Sequence, residues 1–169
     1  KGSTFYFSGL FGVQDQQHIT EYKAPSDMAG INALVCDDNA TALLICKEAM
    51  DYFKFNVTAV SSGKEAIEEL HKSTYDLLII DQIMPEMDGI ETVQRIKRDS
   101  SFRDLKIIMA SSSGKPELAK QAMQTGVNGY LVKPYSYSSI FDMIMESFGK
   151  DLRTTKFRTQ KGLKHQKEL

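Results

Sequence analysis

From about Ile31 onward, short apolar runs alternate with segments that mix apolar and polar residues at regular spacing. The runs at 33–36, 57–60, 77–80, 107–110 and 130–132 are brief and rich in β-branched residues. Brevity and branching predict strands, and unbroken apolarity predicts burial on both faces of a parallel sheet. Between and after them, apolar residues recur three and four apart: Leu43, Cys46, Met50 and Phe53, then Ala66, Ile67 and Leu70. The pattern continues with Ile90, Val93 and Ile96, with Leu118, Ala122 and Met123, and with Ile140, Met143, Ile144 and Phe148. Each set forms one stripe of a helix laid against a sheet, and such stripes are core rather than cofactor contacts. Five βα units in about 120 residues, joined by right-handed crossovers, predict a doubly wound α/β fold. In that architecture ligands bind beyond the carboxyl ends of the strands, where the winding direction reverses.

Four of the predicted strands end in polar residues. The first ends in Asp37 and Asp38, the third in Asp81, the fourth in Ser111, and the fifth in Lys133 followed by Pro134. A single aspartate after a strand is usually a helix cap; four such ends on one edge point to chemistry. Three crowded carboxylates repel and raise one another's pKa unless a cation neutralises them. A hard divalent ion with oxygen ligands suits the set, and Mg²⁺ is the usual choice beside phosphate. Two carboxylates can hold the metal while the central one keeps an oxygen free as nucleophile. A phosphoryl group on that oxygen needs its charge met by the metal, an ammonium and hydrogen-bond donors. Lys133 and Ser111 have the right chemistry for the last two tasks.

The stretches Leu34-Val-Cys-Asp-Asp-Asn39, Leu77-Leu-Ile-Ile-Asp-Gln-Ile-Met-Pro-Glu-Met-Asp-Gly89, Ile107-Ile-Met-Ala-Ser-Ser112 and Gly129-Tyr-Leu-Val-Lys-Pro134 resemble the signatures of response-regulator receiver domains. The resemblance covers roughly residues 31–149 and implies a flavodoxin-like five-stranded parallel sheet, order 2-1-3-4-5, with five helices. It implies Asp81 as phosphoacceptor, with Lys133 and Ser111 beside it. Asp38, Asp81 and the backbone carbonyl of Ile83 would bind Mg²⁺ directly, and Asp37 mainly through water. Ser111 and Tyr130 match the family's switch pair, whose hydroxyl moves toward the phosphoryl group while the ring turns inward, remodelling the face around the fourth helix and fifth strand. The Lys133–Pro134 bond is expected to be cis. Pro85 and Gly89 are expected to set the turn after Asp81, glycine supplying backbone angles that others avoid. Ile83 and Ser113 offer little to orient an attacking water, so slow autodephosphorylation is expected. Serine in place of the common threonine at 111 implies looser switching.

Charge divides the chain into an acidic middle and atypical ends. Residues 31–150 carry 13 basic and 17 acidic side chains, whereas residues 151–169 carry six basic and two acidic ones, a net of +4. With 21 basic and 22 acidic residues in all, no global field points to nucleic acid or membrane. No apolar run is long enough for a membrane span, and no leader is apparent, so the expectation is a cytoplasmic domain without direct membrane contact. Cys36 and Cys46 have no metal-type spacing and read as buried free thiols. His18, His71 and His165 lack the surroundings of a phosphorylated histidine and read as solvated.

Gly2-Ser3-Thr4-Phe5-Tyr6-Phe7 resembles the closing strand of the ATP-binding domain of sensor histidine kinases. That resemblance implies residues 1–8 as its remnant, 9–30 as a linker, 31–149 as the receiver domain and 150–169 as a basic linker or tail. The parent chain would be a hybrid sensor histidine kinase, a phosphotransferase. Its dimerisation and phosphoacceptor domain would be the donor, in the same polypeptide, docking near Ala40, Leu43, Leu44, Pro134 and Tyr135. A downstream receiver or histidine phosphotransfer domain would be a further partner. The alternative is a stand-alone response regulator whose basic tail contacts nucleic acid, although the tail holds no recognisable DNA-binding motif. A haloacid-dehalogenase-type phosphatase needs a second aspartate two residues after the first, where this chain has Ile83. A partner-binding pseudo-receiver would have lost Asp81, Lys133 or one of the acidic pair.

Overall fold

A computed structural model describes residues 26–150. Its strands are β1 (Asn32–Cys36), β2 (Asn56–Val60), β3 (Leu77–Asp81), β4 (Lys106–Ser111) and β5 (Gly129–Val132). They form one parallel sheet in the order β2-β1-β3-β4-β5. The helices are α1 (Ala40–Tyr52), α2 (Gly63–Lys72), α3 (Gly89–Arg98), α4 (Pro116–Gln124) and α5 (Tyr137–Ser147). The doubly wound architecture and strand order are those expected.

Alternation along the strands sorts side chains into two layers. Ala33 and Val35, Leu77 and Ile79, Ile108 and Leu131 face the layer built with α1 and α5. Leu34 and Cys36, Leu78 and Ile80, Ile107 and Met109 face the layer built with α2, α3 and α4. Continuous apolar runs are therefore needed in β1, β3 and β4, where almost every residue is buried. The edge strands differ from the two-sided burial expected. No residue of β2 is fully buried, and Val132 of β5 is exposed, because each has a strand neighbour on one side only. Met123 also departs from its expected stripe: it is 50% exposed, while Ala122 alone on α4 is fully buried. Phe141 and Met145, outside the expected stripe of α5, are buried with Ile140 and Ile144. The apolar core reaches back to Met28, in a single 3-10 turn over Ser26–Met28. The kinase-like residues 1–8 and most of the linker and basic tail lie outside the described residues.

Caps place the helix starts at the carboxyl edge. Asn39 accepts the Thr41 and Ala42 N–H groups, Ser62 accepts that of Glu65, and Asp88 that of Glu91. Ser62 and Asp88 each meet one otherwise unpaired donor of a first turn and Asn39 meets two.

Candidate phosphoacceptor site

β1 and β3 lie side by side at the centre of the sheet, so the residues that close them, Asp37 and Asp81, meet above it. Both are buried, whereas Asp38 is exposed. Lys133 comes from beyond β5, two strands away from β3, and its long stem is what lets it reach. Its Nζ donates to Asp37 Oδ2 and to Asp81 Oδ1, each at 2.5 Å. The remaining oxygens are also held: Asp37 Oδ1 accepts the Asn39 N–H at 3.0 Å, and Asp81 Oδ2 accepts the Ile83 N–H at 3.1 Å. The Lys133–Pro134 peptide is cis, as expected.

Burial, more than any neighbour, pushes the Asp81 carboxyl above its usual range; Lys133 pulls it down and Asp37 adds to the rise. The Lys133 ammonium lies between the two buried carboxylates and offsets part of their mutual repulsion. Burial alone would depress Lys133, but its hydrogen bonds to Asp37 and Asp81 outweigh that and hold it above the ordinary lysine value. One oxygen from each of Asp37, Asp38 and Asp81 lies within 4.8 Å of the other two. Such a cluster, part buried and part open, suits a hard cation that keeps some of its water.

The site opens into a cleft of about 640 Å³ whose lining includes Asp38, Thr41, Ile45, Ile83, Ser112 and Tyr135. Ser112 lines it, while Ser111 is fully buried and its Oγ accepts the Ser113 N–H at 3.2 Å. By alternation Ser111 and Tyr130 face the layer of α2, α3 and α4, opposite to Asp81. The half-buried Tyr130 packs on that layer. Its hydroxyl donates to Gln82 Oε1 at 2.9 Å, with the Ser113 carbonyl at 3.3 Å.

The turn after Asp81 is built differently from the expectation for Gly89. The left-handed residue is Glu86, with φ 64°. Gly89 is needed for space instead: a Cβ there would lie 2.2 Å from the Asp81 carbonyl oxygen. Its N–H donates to the Gln82 carbonyl at 2.9 Å, fastening the start of α3 to the end of β3.

The family model of the response regulator receiver domain matches residues 33–145. The chain belongs to this family. It is 32% identical over 116 residues to the chemotaxis protein CheY of Pseudomonas aeruginosa, covering 68% of this chain and 94% of that protein. It is 34% identical over 110 residues to the transcriptional regulatory protein ZraR of Escherichia coli, covering 65% of this chain and 24% of ZraR. Among solved structures it resembles a chemotaxis response regulator of Vibrio cholerae, with a TM-score of 0.67 and 24% identity over 70% of this chain and 99% of the other. It also resembles the receiver domain of a sensor histidine kinase of Pseudomonas aeruginosa, described with a magnesium ion coordinated in its active-site cleft. There the TM-score is 0.66 and the identity 23%, over 72% of this chain and all of that one.

Within this receiver the fold gathers Asp37, Asp38, Asp81 and Lys133 into one cluster and sets Ser111 and Tyr130 on the opposite side of the sheet, outside it. Of the proposed docking residues, Ala40, Leu44 and Pro134 are exposed and Leu43 and Tyr135 half-buried. His71 is exposed, its ring 5.1 Å from that of Phe102, as an ordinary surface histidine; His18 and His165 lie outside the described residues. Gln82 is the residue that sequence reasoning passed over. Its signal was a second polar side chain directly after Asp81, where the strand parity points it at the opposite layer. Among the described residues no helix is long and apolar enough to cross a membrane.

Proposed function

We propose that the domain receives a phosphoryl group on Asp81 from a phosphohistidine, as one step of a two-component phosphorelay. The observation that carries this is the buried Asp81 carboxylate, held by Lys133 at the foot of an open cleft beside two further carboxylates. An Asp81 oxygen attacks phosphorus, the phosphorus–nitrogen bond breaks, and the imidazole leaves with its electron pair. Lys133 keeps its charge near the transferring oxygens, and Ser111 offers a hydroxyl. Asp38 and Asp81, with the Ile83 carbonyl, are the proposed direct ligands of Mg²⁺, and Asp37 acts through water. Bound there, the ion would offset the charge of the phosphoryl oxygens. Ile83, 59% exposed at the rim of the cleft, has no polar side-chain atom to orient an attacking water, which favours a long-lived acyl phosphate.

Phosphorylation then acts through Ser111 and Tyr130 on the face formed by α4 and β5. The donor docks against Ala40, Leu43 and Leu44 of α1 and against Pro134 and Tyr135. A hybrid sensor histidine kinase is the proposed parent, on the strength of Gly2-Ser3-Thr4-Phe5-Tyr6-Phe7, and a cytoplasmic location follows from that reading.

The test is to incubate the protein with Mg²⁺ and acetyl phosphate and to weigh it by intact-mass spectrometry. One phosphoryl group should be added, none without Mg²⁺ and none in Asp81→Asn. A modified Asp81→Asn protein would move the acceptor to another residue.

A further inference from the structure

The Tyr130 ring is tied to the residue next to the phosphoacceptor by an acceptor that the protein itself supplies. Gln82 is 4% exposed, and its main chain is fixed on both sides. Its N–H donates to the Ala110 carbonyl at 2.7 Å and its carbonyl accepts the Gly89 N–H at 2.9 Å. A side chain rooted in so constrained a backbone has little room to follow a moving partner. Its Oε1 lies 2.9 Å from the Tyr130 hydroxyl, which has one hydrogen to give; the Ser113 carbonyl at 3.3 Å is the longer alternative. An amide turned over would still hold the ring, because the hydroxyl would then accept from Nε2 and donate to Ser113.

We propose that Gln82 is a positioning residue that latches the Tyr130 ring inward, so that part of the ring's preference is set by the protein and not by the phosphoryl group. The inference deepens the proposed reading of Asp81 and rests on it for its regulatory consequence. Neither acceptor belongs to the phosphoryl group, so the hydrogen bond contributes in both states of the site. Because it already favours the inward ring before phosphorylation, it leaves a smaller outward population for phosphorylation to move. Phosphorylation of this receiver therefore shifts Tyr130 less than it would with an apolar residue at position 82. The same contact joins the end of β3 to the Ser111–Ser113 loop, the segment through which the α4–β5 face responds.

The experiment uses the full chain labelled with 3-fluorotyrosine, the Tyr130 resonance being assigned by its loss in Tyr130→Phe. Gln82→Met keeps the side-chain length and removes the amide. One buried neutral hydrogen bond corresponds to roughly a two- to tenfold change in a population ratio. The inward-to-outward ratio of Tyr130 should fall by that factor in Gln82→Met. The change produced by Mg²⁺ with beryllofluoride should be larger in the variant than in the parent. A Tyr130 resonance identical in both proteins, with and without beryllofluoride, would overturn the latch. If beryllofluoride changes neither protein but Gln82→Met still moves Tyr130, the latch stands and the reading of Asp81 fails. If Gln82→Met does not fold, hydrogen exchange of β5 in Tyr130→Phe serves instead, since it removes the donor and keeps the ring. Faster exchange there, with a greater slowing by beryllofluoride than in the parent, supports the latch; unchanged exchange overturns it.

Discussion

At the scale of single residues, the site depends on atoms that hold Asp81 without touching a substrate. Gly89 is the clearest. A methyl group there would enter the space of the Asp81 carbonyl oxygen, 2.2 Å away, and press on the Gln82 Cα at 3.0 Å. Both obstacles are backbone and cannot rotate aside, so the end of β3 or the start of α3 must move. Overpacking of well-filled sites costs about 1–3 kcal/mol, and a collision with main chain belongs at the upper end. Gly89→Ala should therefore lower the urea midpoint and also slow phosphorylation by acetyl phosphate, because the displaced segment carries the nucleophile. A variant that loses stability and phosphorylates at the parent rate would show that β3 yields elsewhere. The sequence made Gly89 conspicuous but suggested the wrong reason for it. Composition marks a glycine; it does not say whether backbone angle or clearance demands it. Asp37, Asp38, Asp81 and Lys133 were legible because strand parity and one shared edge bring them together. Gln82 was not, because its role depends on where Tyr130 points from a strand two places away.

At the scale of elements, α1 ends in a way that the apolar spacing does not announce. Phe53 is its C-cap, and Lys54 adopts φ 65°, a left-handed conformation in an exposed residue. The Lys54 N–H donates to the Asp51 carbonyl at 3.1 Å and the Phe55 N–H to the Met50 carbonyl at 3.1 Å. This paired closure satisfies two carbonyls of the last turn and usually places glycine where Lys54 stands. The apolar residues explain why the turn survives: Phe53 and Phe55 are both buried, their ring centroids 6.0 Å apart. Packing of the flanking aromatics overrides the local preference. The strain at a left-handed Cβ is about 1 kcal/mol, and glycine gives part of it back as unfolded-chain entropy. Lys54→Gly should stabilise the domain by about 0.5 kcal/mol, read as a higher urea midpoint at unchanged slope. The same limit of sequence reading accounts for the edge strands. Apolar runs identify β2 and β5 as strands, but exposure depends on the neighbours they lack.

At the scale of the whole molecule, the sheet divides two apolar layers, and one cysteine reports on each. Cys46 belongs to the layer with α1 and α5, and Cys36 to the layer with α2, α3 and α4. Each is 1% exposed, and burial pushes both thiols up to about 12. Alkylation needs an accessible thiolate, so neither should react in the folded domain at pH 8–9. Reaction then proceeds only through opening. Because both layers pack on the same five strands, a domain of this size should lose them together. Cys36 and Cys46 are expected to be alkylated at matching rates that follow global unfolding as urea is raised, measured by mass spectrometry of the two peptides. Early labelling of Cys36 alone would mean that the α2–α4 layer opens by itself. The thiols also fix the sign of the alkaline response. Below the ordinary thiol value of 9.0, both folded and unfolded chains keep the Cys46 proton, and its contribution does not vary with pH. Between 9.0 and about 12 the unfolded chain loses that proton while the folded one retains it. The unfolded state then binds fewer protons, so stability falls as pH rises through this window. Urea midpoints measured at pH 8 and pH 10.5 should decrease accordingly, and an unchanged midpoint would show that Cys46 ionises as readily inside the core as outside it.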